Sequence, residues 1–300
     1  MRKIEQMEKK IAVFIPCYNA SRTIGATLES VEASVRHLGS PVPVYIYDDC
    51  SKDDSLTVAR NHWSNSNELK IVKNSMNLGE RLTTNNALKS FREKYDWVLI
   101  IHADDIVKQD WLSELYKLIG QADDKKYFTI WSSFDSLDDI TGKVVEGDNT
   151  GNVSDRDRTY GEKKQYLIKL YGNWHISGAA INLSLFQELG GFDITMPQFG
   201  DTDFFVRGLM RGFRDVYLSR TLTFYRVIVN SVSSVSVRSN RDFKEVLYIL
   251  DKFRDILDQR ERLQLRRNLR SLAFRRACRR LLRLDMGNFF FCAKVILRSL

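Results

Sequence analysis

Blocks of apolar and polar positions alternate along the first 110 residues at two different periods. Ile11–Ile15 is an unbroken apolar run, followed by Pro16, Asn19 and Ser21 and then by Leu28, Val31 and Val35 at helical spacing. Val42–Tyr47 is a second strand-like run ending in Asp48-Asp49. Asp53 is placed to cap a helix carrying Leu56 and Ala59. Leu69–Val72 predicts a third strand, Leu82–Phe91 a helix, and Trp97–Ile101 a fourth strand of apolar residues only. Strands alternating with helices predict a mostly parallel sheet with helices on both faces. Continuously apolar strands agree, because such a sheet is buried on both sides.

Beyond this region the pattern is less regular. Asp135–Tyr160 is polar and contains Gly142, Gly147 and Gly151, which predicts a loop or insert. A helix is expected near Lys163–Tyr171 and another over Phe204–Leu209, with strand-like pieces at Val216–Leu218 and Leu222–Val229. From Arg241 to the end the periodicity is helical. These shifts divide the chain at about residue 235. Residues 1–235 are expected to form the main α/β domain, with halves over 10–106 and 107–235, and residues 236–300 a basic helical tail.

Composition changes this picture at one end only. The chain has 300 residues, 43% hydrophobic and 28% charged, which excludes a disordered or low-complexity protein. Its formal net charge is +8, yet residues 254–300 contain thirteen Lys or Arg and four Asp or Glu, a local charge of +9. The basic character therefore belongs to the tail and says nothing about a ligand of the α/β part. Cys17, Cys50, Cys278 and Cys292 lie far apart, arguing for a reducing compartment and against a disulfide framework. The charged stretch Met1–Lys10 has no apolar core of a signal peptide. The apolar run Phe289–Leu297, broken by Lys294, is far short of a membrane span. The expected location is cytoplasmic, peripheral on the inner face of the membrane.

Ligands of open α/β sheets sit beyond the C-terminal ends of the strands. That rule selects Tyr18 and Asn19, Asp48 and Asp49, Asn77, and Asp104 and Asp105, four polar clusters converging on one edge. The ordered set Ile15-Pro16-Cys17-Tyr18-Asn19, Asp48-Asp49, Asn77-Leu78-Gly79, His102-Ala103-Asp104-Asp105, Gly190-Gly191-Phe192-Asp193 and Gly200-Asp201-Thr202-Asp203 resembles the family 2 glycosyltransferases. The resemblance covers roughly Lys10 to Val229. It implies a GT-A (Rossmann-like) fold and inverting transfer of one sugar from a nucleoside-diphosphate sugar to a hydroxyl acceptor, a glycan or a lipid-linked one. Bacterial surface polysaccharide or glycolipid assembly is the implied setting. The Gln-X-X-Arg-Trp signature of processive relatives is absent, only Tyr225-Arg226 resembling it, so transfer of a single sugar is expected.

The resemblance also implies roles. Pro16, Tyr18, Asn19, Asp48, Asp49, Asn77 and Arg81 match nucleotide-binding positions, with Asp49 favoured for reading the base and an exposed Arg81 for assisting the diphosphate. Asp104 matches the carboxylate that holds a divalent ion, Mn²⁺ or Mg²⁺, which offsets the charge growing on the leaving diphosphate. Asp105 and His102 stand beside it on the donor side. His102 occupies a position where the family commonly has Asp, leaving open whether it joins the metal shell. Asp201 matches the catalytic base, which takes the acceptor proton as the oxygen attacks C1. The family more often has Glu-Asp here, and Gly200 removes the companion acid. Trp174, His175, Gly178 and Asp203 are candidate acceptor contacts. Asp104-Asp105 and Asp201 also read as helix caps, Asp48-Asp49 as a turn before the cap at Asp53, and Gly190-Gly191 as a helix terminator.

In the tail, Leu265, Leu269, Leu272, Ala273, Ala277, Leu281 and Leu284 recur at helical spacing among arginines. This pattern predicts a helix whose apolar side lies on an anionic membrane through residues 260–300, with Phe289-Phe290-Phe291 as an anchor. The competing expectation is a helical pair packed on the protein with its arginines in solvent. A nucleotidyltransferase would need a glycine-rich phosphate loop after the first strand, where Cys17-Tyr18-Asn19-Ala20 stands instead. Nucleic acid is not the expected partner, since no groove-reading motif accompanies the arginines. A catalytically weak relative acting as a membrane- or nucleic-acid-binding module is the alternative reading.

Overall fold

The computed structural model describes residues 9–64, 68–147, 156–157, 175–229 and 231–298. The chain divides into two compact units, one of Met1–Arg158, His175–Ile194 and Arg207–Val227, the other of Thr159–Trp174, Thr195–Val206 and Ile228–Leu300.

The first unit is built on one sheet. Its opening strands are β1 (Ile11–Cys17), β2 (Val44–Asp48), β3 (Leu69–Lys73) and β4 (Trp97–Ile100), interleaved with helices α1 (Ile24–Leu38), α2 (Ser55–His62) and α3 (Glu80–Phe91). They continue into β5 (Ile106–Val107), α4 (Trp111–Gln121), β6 (Tyr127–Asp138), β7 (Val144–Val145), β8 (Arg156–Asp157), β9 (Ala180–Asn182), α5 (Leu183–Glu188), α6 (Gly200–Met210) and β10 (Arg214–Val227). The sheet order is β3-β2-β1-β4-β9-β6-β10-β5, with β7 on β6 and β8 on β10. The first four strands are parallel, as the continuous apolar runs predict. Short β9 runs antiparallel to both β4 and β6, and β6 and β10 pair in parallel.

Period-two alternation decides what each face of β1 buries. Val13 and Ile15 lie in one core with Ile24, Leu28, Val31 and Val35 of α1 and Trp111, Leu112, Leu115 and Ile119 of α4. Phe14 belongs to the other face, edge-on to Tyr47 at 5.5 Å and to Phe91 of α3 at 6.1 Å. Both faces of the central strand are thus covered, and all seven of its residues are buried.

Two expectations change in detail. The polar stretch from Asp135 does not begin a loop: β6 runs 12 residues to Asp138 and folds back through β7. Its side chains are polar there because they are hydrogen-bonded at a sheet end, not because the backbone leaves the sheet. The two pieces expected at Val216–Leu218 and Leu222–Val229 are one 14-residue strand, β10. Register shifts against β6 between Leu218 and Thr223 break the alternation at Ser219-Arg220, so periodicity shows a gap where the backbone has a bulge. The helix expected near Lys163–Tyr171 lies outside the described residues. The four cysteines are free.

The second unit contains the start of α6 and the helices α7 (Val232–Arg238), α8 (Arg241–Lys252), α9 (Gln259–Leu282) and α10 (Met286–Arg298). Asp258 opens α9 with a capping box: its carboxylate accepts from Glu261 N–H, and the Glu261 carboxylate accepts from Asp258 N–H. α9 and α10 pack on each other as a hairpin. Arg276 pairs with the buried Asp242 of α8 at 2.6 Å and lies over the Phe243 ring. Leu265, Leu269, Ala273 and Ala277 are buried, so this part of the stripe expected to meet a membrane is used for packing instead.

Leu28 is fully buried between sheet and α4, so Leu28→Ala should cost about 2–5 kcal/mol of stability. Chemical denaturation would measure it; a loss well under 1 kcal/mol would show that this core is not the one holding α1.

Candidate active site

Three turns after parallel strands form the edge that sequence reasoning selects. After β1, Tyr18 is exposed and Asn19 takes the left-handed conformation at φ 49°. Asn19 N–H donates to Ser51 Oγ at 2.9 Å, and Lys52 N–H donates to Asn19 Oδ1 at 2.9 Å. These bonds lace the β1 and β2 turns together. Pro16 is buried within β1, opposite Tyr47 of β2.

Asp48 and Asp49 are both buried. Asp48 accepts from Ser51 N–H, tightening its own turn. Asp49 accepts four hydrogen bonds, from Leu78 N–H (2.8 Å), Gly79 N–H (2.8 Å), Asn74 Nδ2 (2.9 Å) and Thr83 Oγ1 (2.9 Å). Three of these bonds converge on Oδ1 and one reaches Oδ2, which keeps an accepting position. Burial alone would raise its pKa, but the donors outweigh it and hold the carboxyl below its ordinary value. The expected base-reading role of Asp49 therefore falls to the one accepting position left on Oδ2. Its visible work is to fasten Asn77-Leu78-Gly79 to the end of β2, with Asn77 Nδ2 donating to the Asp49 carbonyl at 3.2 Å.

Arg81, expected to be exposed, is buried in α3 with its guanidinium 5.3 Å from the Phe192 ring centroid. Its neighbour Glu80 was missed in the sequence, although it follows directly on Asn77-Leu78-Gly79. Glu80 Oε1 lies 3.4 Å from Arg81 and 3.5 Å from His102 Nε2. Burial opposes its charge, but Arg81, His102 and His175 together keep its pKa below the ordinary value.

The turn after β4 holds the strongest concentration of chemistry. Asp105 N–H closes it onto the His102 carbonyl at 3.1 Å. Thr27 of α1 donates to the carbonyls of Ala103 and Asp105, and His102 N–H donates to Ser177 Oγ. From β10, Arg226 N–H donates to Asp105 Oδ1 at 2.9 Å and Arg226 Nε to the Asp104 carbonyl at 2.7 Å. The Arg226 guanidinium is in turn held 3.3 Å from Asp139, which also pairs with Arg22 at 2.6 Å.

Asp105 is buried, and its Oδ2 has no hydrogen-bond partner. Ligating atoms of Asp105, His102 and His175 all lie within 4.8 Å of one another. Asp104, half-buried, is pushed up to about 6, by burial first and then by the Asp105 charge, against the pull of His102 and His175. His175 sits against Tyr225 (4.6 Å), Phe134 (5.4 Å) and His102 (5.7 Å), and its Nδ1 is 3.4 Å from the Ser177 carbonyl. Donation from Nδ1 makes Nε2 the accepting nitrogen of the ring. His175, anticipated on the acceptor side, thus stands with His102 at the donor-side acids. Two imidazoles, two carboxyls in mutual repulsion and an orphaned buried oxygen form a set that suits a divalent cation.

Gly178 has φ 88°, and a Cβ there would come within 2.4 Å of the Thr223 side chain. Its N–H donates to Ile100 and its carbonyl accepts from Trp111 Nε1, so this glycine is needed for packing against β4 and α4. Gly190 and Gly191, both at positive φ, end α5 through bonds to Gln187 and Phe186, as the terminator reading predicts. Trp174 lies outside the described residues.

Asp201 and Asp203 belong to the second unit, in the first turn of α6. Asp203 is fully buried and pairs with Lys252 of α8 at 2.6 Å. Asp201 is buried at its surface, with Oδ1 accepting from Thr202 N–H. A carboxylate does stand at this helix start where Gly200 supplies none: Glu245 of α8 accepts from Gln198 and Phe199 N–H at 3.0 and 2.9 Å.

Acids and imidazoles gathered beyond the C-terminal ends of the parallel strands mark an α/β protein with its ligand site at that edge. Residues 12–188 match the glycosyl transferase family 2, and the chain belongs to that family. Solved structures of S. aureus TarS share the fold, a GT-A fold of mostly parallel strands flanked by helices. The TarS structure aligns at TM-score 0.60 and 19% identity over 87% of this chain and 43% of that one. The 1–349 fragment of TarS in complex with UDP aligns at TM-score 0.58 and 19% identity, over 87% of this chain and 70% of the fragment. The same fragment in complex with UDP-GlcNAc aligns at 0.58 and 15% identity, over 97% and 92%. This chain therefore spans less than half the length of the longer TarS chain. No curated protein matches in sequence.

Asp49→Asn should cost about 2–4 kcal/mol, because one oxygen that receives charge-assisted bonds becomes a donor facing donors. Because the folded pKa of Asp49 is depressed, its contribution is complete above the ordinary carboxylate pKa of 3.8 and fades as pH falls through the lower folded value. Thermal melts from neutral to acid pH should show the wild type losing stability faster than the variant below about pH 4. Parallel curves would mean that Asp49 is not the anchor of the Asn77 loop.

Proposed function

We propose that this protein is an inverting glycosyltransferase that moves one sugar from a uridine-diphosphate sugar, with UDP-GlcNAc the first donor to test, to a hydroxyl on a glycan or lipid-linked acceptor. The observation that carries the reading is the gathering of His102, Asp104, Asp105 and His175 at the C-terminal edge of the sheet in a family 2 chain. UDP and UDP-GlcNAc occupy the TarS fragments of the same fold, which supports that donor class.

In this reading the laced β1 and β2 turns form the nucleotide pocket. The exposed Tyr18 ring offers a face to the base, and Pro16, Asn19, Asp48, Asn77 and Arg81 shape the pocket around it. Asp49 acts by holding the Asn77 loop. Asp104 or Asp105, with His102 and His175, would hold a divalent ion, which would supply positive charge beside the departing diphosphate. Asp201 takes the proton from the acceptor hydroxyl as its oxygen attacks the anomeric carbon. The C1–phosphate oxygen bond breaks on the opposite face, and the nucleoside diphosphate leaves with the bonding electrons. Asp203 is the weaker candidate for base because Lys252 already engages it. Among the candidate acceptor contacts, Gly178 and Trp174 are carried forward as untested neighbours of the sugar. Surface-glycan or glycolipid assembly is the setting in which such a transfer fits.

A panel of nucleotide sugars with Mn²⁺ or Mg²⁺ tests the donor half. One donor should release its nucleoside diphosphate, and Asp104→Ala should abolish that release. Asp201→Asn should lower transfer about 10²–10⁴-fold with donor affinity kept, the range of a lost general base. No turnover and no donor-induced thermal shift under any metal would overturn the reading.

Imidazole nitrogens suit later transition ions better than Mg²⁺. Calorimetric titration without donor should therefore show Mn²⁺ binding tighter than Mg²⁺, and His175→Ala should weaken Mn²⁺ about tenfold or more. Unchanged Mn²⁺ affinity in that variant would remove His175 from the metal shell and leave the acids alone.

A further inference from the structure

We infer that the tip and outer face of the α9–α10 hairpin form a docking surface for an anionic lipid bilayer. The surface is only the far end of the stripe that periodicity selects, because the hairpin and its neighbours bury Leu265, Leu269, Ala273 and Ala277. Leu281 and Leu284 of that stripe stay outside and are joined by further apolar residues. Phe274 and Leu281 lie seven residues apart, on one side of α9. Leu282 is 85% exposed, Leu284 in the turn 83%, and Met286 and Phe290 of α10 continue the apolar surface. Isolated exposed leucines are ordinary, but a run of large side chains around one helical turn is not.

Leu284 adds an independent observation. It adopts φ 57°, the left-handed conformation that ordinarily ends a helix with glycine or asparagine. Its N–H donates to the Leu281 carbonyl, completing the cap. A leucine there is strained in its backbone and gains nothing from burial. The fold alone has no use for its side chain, whereas an apolar partner does.

Charge specifies the partner. From Leu263 to Leu284 the chain has eight arginines and no acidic residue. Arg276 is committed to Asp242, and Arg280 to Asp285 and the Arg238 carbonyl. Arg275, Arg279 and Arg283 are exposed beside the apolar tip. Aliphatic side chains next to arginines match the acyl boundary and phosphate layer of an anionic membrane surface. A second copy of the chain would bring arginine against arginine, and nucleic acid would leave the leucines in water. No described helix is long and apolar enough to cross a bilayer, so the contact is peripheral. The surface does not depend on the donor chemistry, and either reading can fail without the other.

Sedimentation of the full chain with vesicles tests this. The protein should pellet with phosphatidylcholine–phosphatidylglycerol vesicles, release at high salt, and stay in solution with phosphatidylcholine alone. The double variant Leu282→Asp/Leu284→Asp and the triple variant Arg275→Gln/Arg279→Gln/Arg283→Gln should each lower vesicle binding at least about tenfold. Leu284→Gly guards against misfolding: it should melt at or above the wild-type temperature, because the strain is relieved, and still bind vesicles more weakly. Folded wild type that ignores anionic vesicles overturns the inference, as does unchanged binding by all three variants. A concentration-dependent dimer abolished by the double variant, without vesicle binding, would assign the face to a second copy instead. Duplex binding lost in the triple variant, again without vesicle binding, would assign it to nucleic acid.

Discussion

The constraint on which the candidate site depends is the confinement of Asp105. Its carboxyl is buried at the end of the central parallel strands, one oxygen bonded to the Arg226 backbone and the other left open. Keeping an acid there is costly without compensation. The surrounding fold fixes the turn from three directions: Thr27 from α1, Ser177 before β9, and Arg226 from β10. Arg226 is itself oriented by Asp139 at the end of β6. The length of β6 and β10, and the bulge that sets their register, therefore decide where Asp104 and Asp105 point.

Acids of this chain divide between structure and chemistry by the donors around them. Asp49 accepts four hydrogen bonds, three of them on Oδ1, and Asp203 has a lysine at 2.6 Å; both negative charges are compensated by the fold. Asp104 is left with too little compensation, and its pKa rises to about 6. An acid held in that state responds to a cation or a developing charge, whereas a satisfied one does not. Glu245 shows the same economy at α6, supplying from a later helix the carboxylate that Gly200 does not carry.

The C-terminal helices show how one amphipathic pattern can serve two surfaces. The small-residue side, with Ala273 and Ala277, allows close approach and is spent on packing. The bulkier side, with Leu282 and Leu284, stays in water beside arginines. Helical periodicity finds one stripe from Leu265 to Leu284 but does not say which part of it is covered, because covering is decided by residues elsewhere in the chain.

The sequence by itself determined the elements of the donor half and the edge where chemistry gathers. Strands at Ile11, Val44 and Trp97 are written in continuous apolar runs, the edge strand at Leu69 in a mixed one, and the polar residues closing them are legible because chain direction fixes which end of a parallel strand carries the loop. The glycine terminators and the Asp53 bond to Ser55 N–H at the start of α2 were legible for the same local reason, whereas Asp201, read as a cap, lies inside the first turn of α6. Only the tertiary structure decided what each acid does. Anchoring of Leu78 and Gly79 by Asp49, capture of Asp203 by Lys252, and convergence of His175 on His102 join residues about 30 to 70 positions apart. The unity of β10 across Ser219-Arg220 likewise needed its partner strand in view. Periodicity and spacing act over a few residues, while compensation of a buried charge depends on whatever the fold brings beside it.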